Sequence, residues 1–495
     1  MTQGLPSESG RGGEGGGGTG AALLDQPRPI VELLRIAVPT VAQMASYTVM
    51  QFLDTWMLSH VGDRLTAPTA ASNSGILAFA VISMGMGVLW VVNTLVSQSY
   101  GRRDYRACGQ FLWQGVWFSL AFAALVLPLL PLAPRAFLLL GHEPGLAREE
   151  AVYLQILVSF GAVKLVGTTF GQFLLAIDRA KYVMVSTFAG VAANALAAWV
   201  LIFHYSLGVT GAAWAQNVGV AVETLLAIGL TMLPSIRRTF HSLDFKYRAA
   251  QMRTLLQVGL PSGFQIFADV FAWGVWGNLV FSFFGTTGMA ANNYVFRYMA
   301  VSFMPAFGIS TAVTALVGRY IGRGRPDIAV ARAHLGFAVA LGYMVCCAVL
   351  FLLARRQLIG LFTVDPDVLR IGATLLVFAA AYQLFDAVYI VYYGALRGAG
   401  DTFVPAMATA LLCWSITVLG GYLVARHVPD LGPRGPWMVA MGYGLVLGSF
   451  MFARFTRGGW RRIDLGAGTY KGEPASHTVA PAAGATGASP VPAEA

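Results

Sequence analysis

Charged residues are scarce in this chain. Asp, Glu, Lys and Arg make up 11% of its 495 residues, 56% of residues are hydrophobic, and the mean hydropathy is +0.64. Soluble domains carry about 25% charged residues, so much of this chain is unsuited to water. Uninterrupted apolar runs at 111–133 and 335–354 are too long for the alternating strands of an outer-membrane barrel. The composition therefore predicts an all-α polytopic membrane protein that contacts the lipid bilayer.

Cysteine and histidine are also few, and they lack functional spacing. The four cysteines, Cys108, Cys346, Cys347 and Cys413, have neither metal-ligand nor redox spacing, and the seven histidines form no HExxH motif. The GxG in LRGAGDT, 396–402, joins two apolar spans, so we expect a glycine that ends one helix and Asp401 as the cap of the next. We therefore expect no resident metal or cofactor, and a membrane-embedded enzyme has no motif in its favour.

Twelve apolar segments are long enough to cross a bilayer, which needs roughly 20 residues each. They lie near 36–60, 73–98, 109–133, 150–176, 181–204, 211–234, 256–283, 290–318, 333–354, 369–395, 403–425 and 436–456. Most of the 33 Lys and Arg residues then fall in loops on the side of the N-terminus. Short cytoplasmic loops are enriched in Lys and Arg, so we expect both termini to lie in the cytoplasm. We expect the protein to be a multi-pass protein of the cell (inner) membrane. The net charge of +10 follows this loop pattern, so we expect no nucleic-acid partner.

The two halves of the chain repeat each other. Pro39 and Gln43 correspond to Pro261 and Gln265, and TLVSQSYGRRD in the first half corresponds to ALVGRYIGRGRPD in the second. Because each half has an even number of spans, both enter the membrane from the same side, which predicts two parallel six-helix repeats. We predict a disordered tail at 1–30, lobes at 31–234 and 256–457 joined by a cytoplasmic linker at 235–255, and a second disordered tail at 458–495.

A carboxylate lies inside the first span. Asp54 shares one helical face with Tyr47 and Gln51, whereas Val, Ile, Ala and Phe cover the rest of the helix. An ionised group at membrane depth costs several kcal/mol against lipid, so this face must look toward protein or a wet cavity.

Two further carboxylates lie in spans of the second half, each on a face with aromatic or amide side chains. Asp269 shares its face with Gln265, Trp273 and Trp276, and Asp386 shares its face with Tyr382, Tyr389 and Tyr393. Carboxylates and ring faces both attract cations, which favours a cation-accepting site. The alternative is a structural hydrogen-bond network or a buried pair with Arg297. The roles of Glu223 and Lys164 stay open.

These motifs together resemble the multidrug and toxic compound extrusion (MATE) family, in particular its bacterial NorM-type branch. The segments that carry the resemblance are PTVAQ and FLDTWMLSHVG in the first span, TLVSQSYG after the second, GLPSGFQIFADVF in the seventh and YQLFDAVYIVYYGALRGAGDT from the tenth. The resemblance extends over about 31–456. It implies two six-helix lobes arranged as a V around a central cavity, and export driven by inward flow of Na+ or H+.

The resemblance also implies roles for particular residues. Asp54 and Asn194 match the carboxylate and asparagine of the family's N-terminal lobe, Asp386 matches the aspartate of helix ten, and Asp269 stands where the branch usually has glutamate. These four are candidate cation-coupling residues, with transient Na+ conceivable at Asp54 and Asn194 or at Asp269 and Asp386. Ala198 and Gln216 depart from the family pattern, which weakens the case for a complete sodium site in the first lobe. The candidate cavity residues are Tyr47, Gln51, Gln265, Trp273, Trp276, Tyr382, Tyr389 and Tyr393.

We therefore expect a monomeric antiporter that exports small cationic amphipathic compounds in exchange for Na+ or H+. The alternative from the same superfamily is a flippase for a lipid-linked sugar. A flippase would be expected to line its cavity with Lys or Arg to hold pyrophosphate, whereas acids outnumber bases inside these spans. The sequence leaves the substrate and the choice of ion open.

Overall fold

A computed structural model describes residues 28–58, 66–139 and 142–465. The predicted tails fall largely outside these residues. The start of the second tail, 458–465, is an exception: Trp460 is 1% exposed and stacks on Phe455 at 5.3 Å between ring centroids. Those eight residues therefore belong to the folded part, because an apolar indole anchors them, and the predicted boundary at 458 is wrong.

The described residues of the first half of the chain form helices joined by short connections. Its helices are α1 (Pro29–Leu58), α2 (Thr66–Gly101), α3 (Tyr105–Val126), α4 (Ala133–Leu139), α5 (Pro144–Ser159), α6 (Gly161–Ala176), α7 (Ala180–Trp199), α8 (Gly208–Thr231) and the short linker helix α9 (Pro234–Phe240). A 3-10 turn at Leu127–Leu132 joins α3 to α4, and α5 meets α6 at a bend of 45°. We call the helices α1 to α8 the N-lobe.

The second half has the same organisation and forms the C-lobe, α10 to α17. Its helices are α10 (Ala249–Val275), α11 (Gly285–Gly322), α12 (Pro326–Leu353), α13 (Arg355–Gly360), α14 (Pro366–Ala399), α15 (Phe403–Leu412), α16 (Gly421–His427) and α17 (Arg434–Thr456). Helical turns continue α10 to Phe284, where Gly285, with φ of 66°, reverses the chain into α11. Each predicted span coincides with one helix or with two consecutive helices, and the all-α membrane fold is confirmed.

The ends of these helices follow from local chemistry, with one correction. Asp104 and Asp365 cap α3 and α14 by accepting hydrogen bonds from backbone N–H groups. Gly400 ends α14 with φ of 87°, as predicted. Asp401 does not cap the following helix; it accepts two hydrogen bonds from Arg454, at 2.8 and 3.0 Å. A guanidinium competes successfully for this buried carboxylate because a bidentate ionic pair is stronger than a neutral cap.

The two lobes meet at the end of the molecule where α1 begins and α2 ends. There Thr40 donates to the Gly308 carbonyl at 2.8 Å, and Gln98 donates to the Gly398 carbonyl at 3.0 Å. The repeat-related Gly101 and Gly322 face each other: a Cβ on Gly101 would lie 2.1 Å from the Arg319 carbonyl oxygen. These contacts join the lobes at this end, which we call the closed end of a V formed by the two lobes.

Candidate cation and substrate sites

The C-lobe brings Asp269 and Asp386 together across two helices. Asp269 on α10 accepts a hydrogen bond from Gln265 at 2.7 Å, and the same amide also donates to the Tyr389 hydroxyl at 3.0 Å. Asp386 on α14 is 6% exposed and lies close enough to Asp269 for the two charges to interact. The predicted pair and two of its predicted polar neighbours therefore form one cluster.

Aromatic rings surround this cluster. Trp273 packs edge-on against Tyr382 at 6.1 Å and against Tyr443 at 6.2 Å. Sequence reasoning missed Tyr443, although a lone tyrosine inside the apolar span 436–456 was a usable signal. Trp276 has no exposed surface, since it lies beneath Trp273 and against Trp437. In this conformation Trp276 supports the ring of Trp273 and offers no surface to a ligand.

Several polar atoms in the C-lobe cluster lack a partner. Asp269 Oδ1, Tyr393 Oη and Ser262 Oγ are buried and form no hydrogen bond of ordinary geometry within the described part of the chain, although Tyr393 and Ser262 lie close enough to interact. An unsatisfied buried polar group is costly, so such a group indicates strain or a site that binds something. One carboxylate oxygen of Asp269 thus forms no hydrogen bond of ordinary geometry, and Tyr389 lies nearby.

The N-lobe holds Asp54 in a different setting. Asp54 is 6% exposed, and neither of its carboxylate oxygens has a hydrogen-bond partner among the described residues. Asn194 on α7 is fully buried beside it, close enough to interact, and its amide is also without a bond of ordinary geometry. Tyr153 on α5, which the sequence analysis missed, is within electrostatic reach. Tyr153 belongs to a small cluster of buried apolar side chains that includes Met57 and Ile202.

Glu223 forms a second polar cluster in the N-lobe. Its Oε1 accepts hydrogen bonds from the Tyr47 and Thr187 hydroxyls, both at 2.6 Å, so it joins α8 to α1 and α7. Lys164 on α6 is near enough to interact with this carboxylate. Close helix contacts make room for the cluster: a Cβ on Gly190 would lie 2.8 Å from the Cβ of Glu223. Tyr47, predicted as a cavity residue, is thus engaged in this internal network. Gln51, one turn further along α1, is exposed.

Two arginines of the C-lobe, Arg297 and Arg397, lie in different surroundings. Arg297 is exposed and pairs with neither Asp269 nor Asp386 in the described structure, so the predicted alternative of a buried pair with Arg297 is wrong. Arg397, at the end of α14, is 2% exposed and lies over the rings of Trp90, Phe307 and Tyr393 at 5.6 to 6.0 Å. Ring faces from both lobes therefore stabilise this buried charge.

The chain is similar to known transport proteins over most of its length. A probable multidrug resistance protein NorM of Shewanella oneidensis is 28% identical over 425 residues, which cover 82% of this chain and 90% of the relative. A probable multidrug resistance protein NorM of Burkholderia pseudomallei is 30% identical over 442 residues, which cover 85% and 92%. A solved structure described as the outward-facing conformation of a multidrug resistance MATE family transporter shares the fold, with a TM-score of 0.80 at 17% identity over 87% of this chain and 96% of that one.

The family model called MatE matches residues 39–200 and 264–423, one stretch in each lobe. The two matches fall on corresponding parts of the two repeats, as the internal symmetry of the chain requires. They cover more than half of the chain, and the resemblance found in the sequence is confirmed. This polytopic membrane protein belongs to the MatE family.

Proposed function

We propose that this protein is a secondary active antiporter that exports small cationic amphipathic compounds in exchange for Na+ or H+. The observation that carries this proposal is the pair Asp269 and Asp386, which share a cluster with Trp273 and Tyr389 in the C-lobe. A site with two acids and several rings suits a compound with a positive charge and an apolar body. The names of the relatives as multidrug resistance proteins support the same proposal.

Exchange follows from charge balance in the C-lobe. Two ionised carboxylates in a low-dielectric interior repel each other, and one positive charge relieves that repulsion. A cationic substrate and a coupling ion therefore compete for the same negative charge. Arrival of Na+ or H+ weakens the hold on the substrate, which is the exchange that an antiporter requires.

Asp54 and Asn194 form the second coupling site in this proposal. Both carboxylate oxygens of Asp54 are unpartnered, and the Asn194 amide oxygen adds a neutral ligand. Hard cations prefer oxygen ligands of this kind, whereas a proton needs only the carboxylate. The site can thus accept either ion, and Asp54 and Asn194 are both buried from bulk water.

Transport assays in vesicles test the proposal. Purified protein is reconstituted, a fluorescent organic cation is supplied, and Na+ and H+ gradients are imposed in turn. We expect uptake to follow at least one gradient and to stop when an ionophore collapses it. Dye movement that ignores both gradients would contradict the antiport mechanism, and movement of a lipid-linked sugar instead would favour the flippase.

Asp54→Asn provides the matched substitution. We expect this variant to bind the dye but to lose gradient-driven transport, roughly tenfold or more, because the amide cannot carry the charge that attracts the coupling ion. Asp430→Asn changes an exposed aspartate of the same chain and serves as control. Equal transport by the Asp54 and Asp430 variants at equal expression would refute the role of Asp54.

We further propose that both termini and the linker lie in the cytoplasm of a bacterial cell and that the V opens outward. The dense basic loops around Arg103 and Arg237 lie at the closed end of the V, which supports this orientation. Single cysteines at Arg103 and Phe245, in a cysteine-free background, should be protected from an impermeant reagent in intact cells. A cysteine at Val364, which is 97% exposed at the opposite end, should react. The reverse pattern of labelling would invert the topology.

A further inference from the structure

A basic pocket lies at the closed end of the V, beside the linker helix α9. Its volume is about 680 Å³, and its lining consists of Arg106, Arg237, Arg238, His241, Leu243 and Asp244. We propose that this linker pocket binds the phosphate headgroup of an anionic diacyl phospholipid. The inference concerns the lipid around the protein, so it stands apart from the transported substrate and the coupling ion.

The charge of the linker pocket is largely uncompensated. Asp244 is its only acidic lining residue, and it already accepts a hydrogen bond from Arg248 at 2.8 Å. Partial burial would raise the pKa of Asp244, but the hydrogen bond and charge of Arg248 outweigh it and hold that pKa below its usual range. Arg106 reaches Asp244 only at 4.0 Å. Arg237 and Arg238 are exposed and pair with no carboxylate of the described chain.

The scaffold under these arginines is rigid. Phe240 on α9 is buried, packing edge-on against Tyr105 at 5.5 Å and Phe173 at 5.9 Å. Helix α3 approaches so closely that a Cβ on Gly109 would lie 2.2 Å from the Phe240 carbonyl oxygen. His241 then ends the helix in the left-handed conformation, with φ of 49°. With Phe240 facing inward, the helix presents Arg237 and Arg238 to the outside at fixed positions.

The segment after the pocket runs along the membrane-spanning helix α3. The indole of Trp113 donates to the Ser242 carbonyl at 2.8 Å, and the indole of Trp117 donates to the Phe245 carbonyl at 3.0 Å. Tryptophan is typical of the membrane–water interface. This segment therefore lies at the level of the lipid headgroups.

The same segment exposes apolar side chains beside the basic pocket. Leu243, Phe245 and Tyr247 are 46%, 50% and 61% exposed, an arrangement that is unfavourable in water but suits acyl chains. Basic pockets next to spanning helices bind anionic lipid headgroups, and the apolar rim supplies contacts that a free phosphate cannot use. Charge and apolar surface together favour a diacyl phospholipid over a soluble anion.

Lipid retention by the full-length protein tests this inference. The protein is purified in detergent, mixed with equal amounts of phosphatidylglycerol and phosphatidylcholine, and analysed by native mass spectrometry. We expect the wild type to retain phosphatidylglycerol preferentially. The variant R237Q/R238Q should lose about 25-fold in affinity, because each basic residue near an anionic surface contributes about fivefold.

The control is R457Q/R462Q, which removes two exposed arginines at the same end of the molecule but outside the pocket. This variant should retain the lipid, and a loss equal to that of R237Q/R238Q would reduce the effect to general positive charge and overturn the site. Glycerol 3-phosphate is added as a competitor. Displacement of the lipid at equal concentration would identify a soluble-anion site and contradict the proposal. Variants are compared only after size-exclusion chromatography shows an intact fold.

Discussion

At the scale of single residues, the three aspartates inside the membrane spans lie in unequal surroundings. Asp269 accepts a hydrogen bond from Gln265 and interacts with Asp386, whereas Asp54 has only Asn194 beside it and no hydrogen bond of ordinary geometry in the described structure. Members of one charge cluster cannot act independently, because a change in one alters the field at the other. Asp54, in the other lobe, contacts neither.

This difference predicts a pattern in double variants. Asp269→Asn and Asp386→Asn should each abolish most gradient-driven transport, and the double variant should be little worse, since either change breaks the shared site. Rates in vesicles, converted to a double-mutant cycle, measure the coupling. Strictly additive losses would mean that the two carboxylates work separately. A cycle that combines Asp269→Asn with Asp54→Asn supplies the comparison, because those two residues lie in different lobes.

Glu223 shows that a buried carboxylate in the membrane can also serve the architecture. Two hydroxyl groups from two other helices satisfy one of its oxygens, and Lys164 lies nearby. Charge-assisted hydrogen bonds of this kind are strong, so they fix the relative positions of α1, α7 and α8. The N-lobe therefore contains two different buried acids: Glu223 is hydrogen-bonded to its neighbours, whereas the oxygens of Asp54 form no hydrogen bond of ordinary geometry.

At the scale of helices, the crossing of α2 and α11 closes one end of the V. Gly101 and Gly322 occur at equivalent places in the two repeats, and each lies against the backbone of the other helix. Only a residue without Cβ permits this approach, since the added atom at Gly322 would be 2.1 Å from the Gln98 carbonyl oxygen. Both glycines are the last residues of their helices, and they are also contact points between the lobes.

Gly101→Ala should therefore weaken this crossing. Overpacking of a tight contact typically costs about 1–3 kcal/mol, and here the atom that must move belongs to the backbone. We expect a lower unfolding temperature of the purified protein and reduced transport. Gly75→Ala on the same helix is the control, because a Cβ there meets nothing within 4 Å. If both variants melt alike, the crossing is looser than the structure indicates.

At the scale of the whole molecule, a buried ionic network joins the lobes at the closed end. Glu32 on α1 accepts hydrogen bonds from Arg332 at 2.8 Å and Tyr320 at 2.9 Å, and Arg319 approaches it to 3.8 Å. Arg319 also approaches Asp178 of the N-lobe at 3.5 Å. Any motion that opens this end must separate these charges, so the network stabilises the conformation seen here.

Glu32→Gln should shift the protein toward opening at this end. Removal of one partner from a buried ionic cluster typically costs about 3–5 kcal/mol, because it leaves the remaining charges uncompensated. Spin labels at Lys181 in the N-lobe and Arg323 in the C-lobe allow the distance between the lobes to be measured by double electron–electron resonance. We expect a longer distance component in the variant.

The matched control for Glu32→Gln is Asp327→Asn. It breaks a solvent-exposed pair with Arg325 inside the C-lobe, and such pairs contribute little to stability because water screens them. Its distance distribution should match the wild type. An unchanged distribution for Glu32→Gln as well would show that other contacts hold the lobes together.

The sequence by itself determined the class of the protein, the spans, the repeat and the family. These depend on hydropathy and on ordered motifs, and a bilayer leaves few alternatives for a long apolar segment because its backbone must bond internally. Helical periodicity also placed Asp54, Asp269 and Asp386 on polar faces. Their inward direction followed from the cost of charge in lipid.

Only the tertiary structure decided which polar faces meet. Periodicity assigns a residue to a face of its own helix but carries no information on the partner helix, so the closeness of Asp269 to Asp386 could not be derived from spacing. The same limit hid the contacts of Glu223 with Tyr47, of Glu32 with Arg332 and of Asp401 with Arg454. Each joins residues far apart in the chain, and packing of the complete bundle brings them within bonding distance.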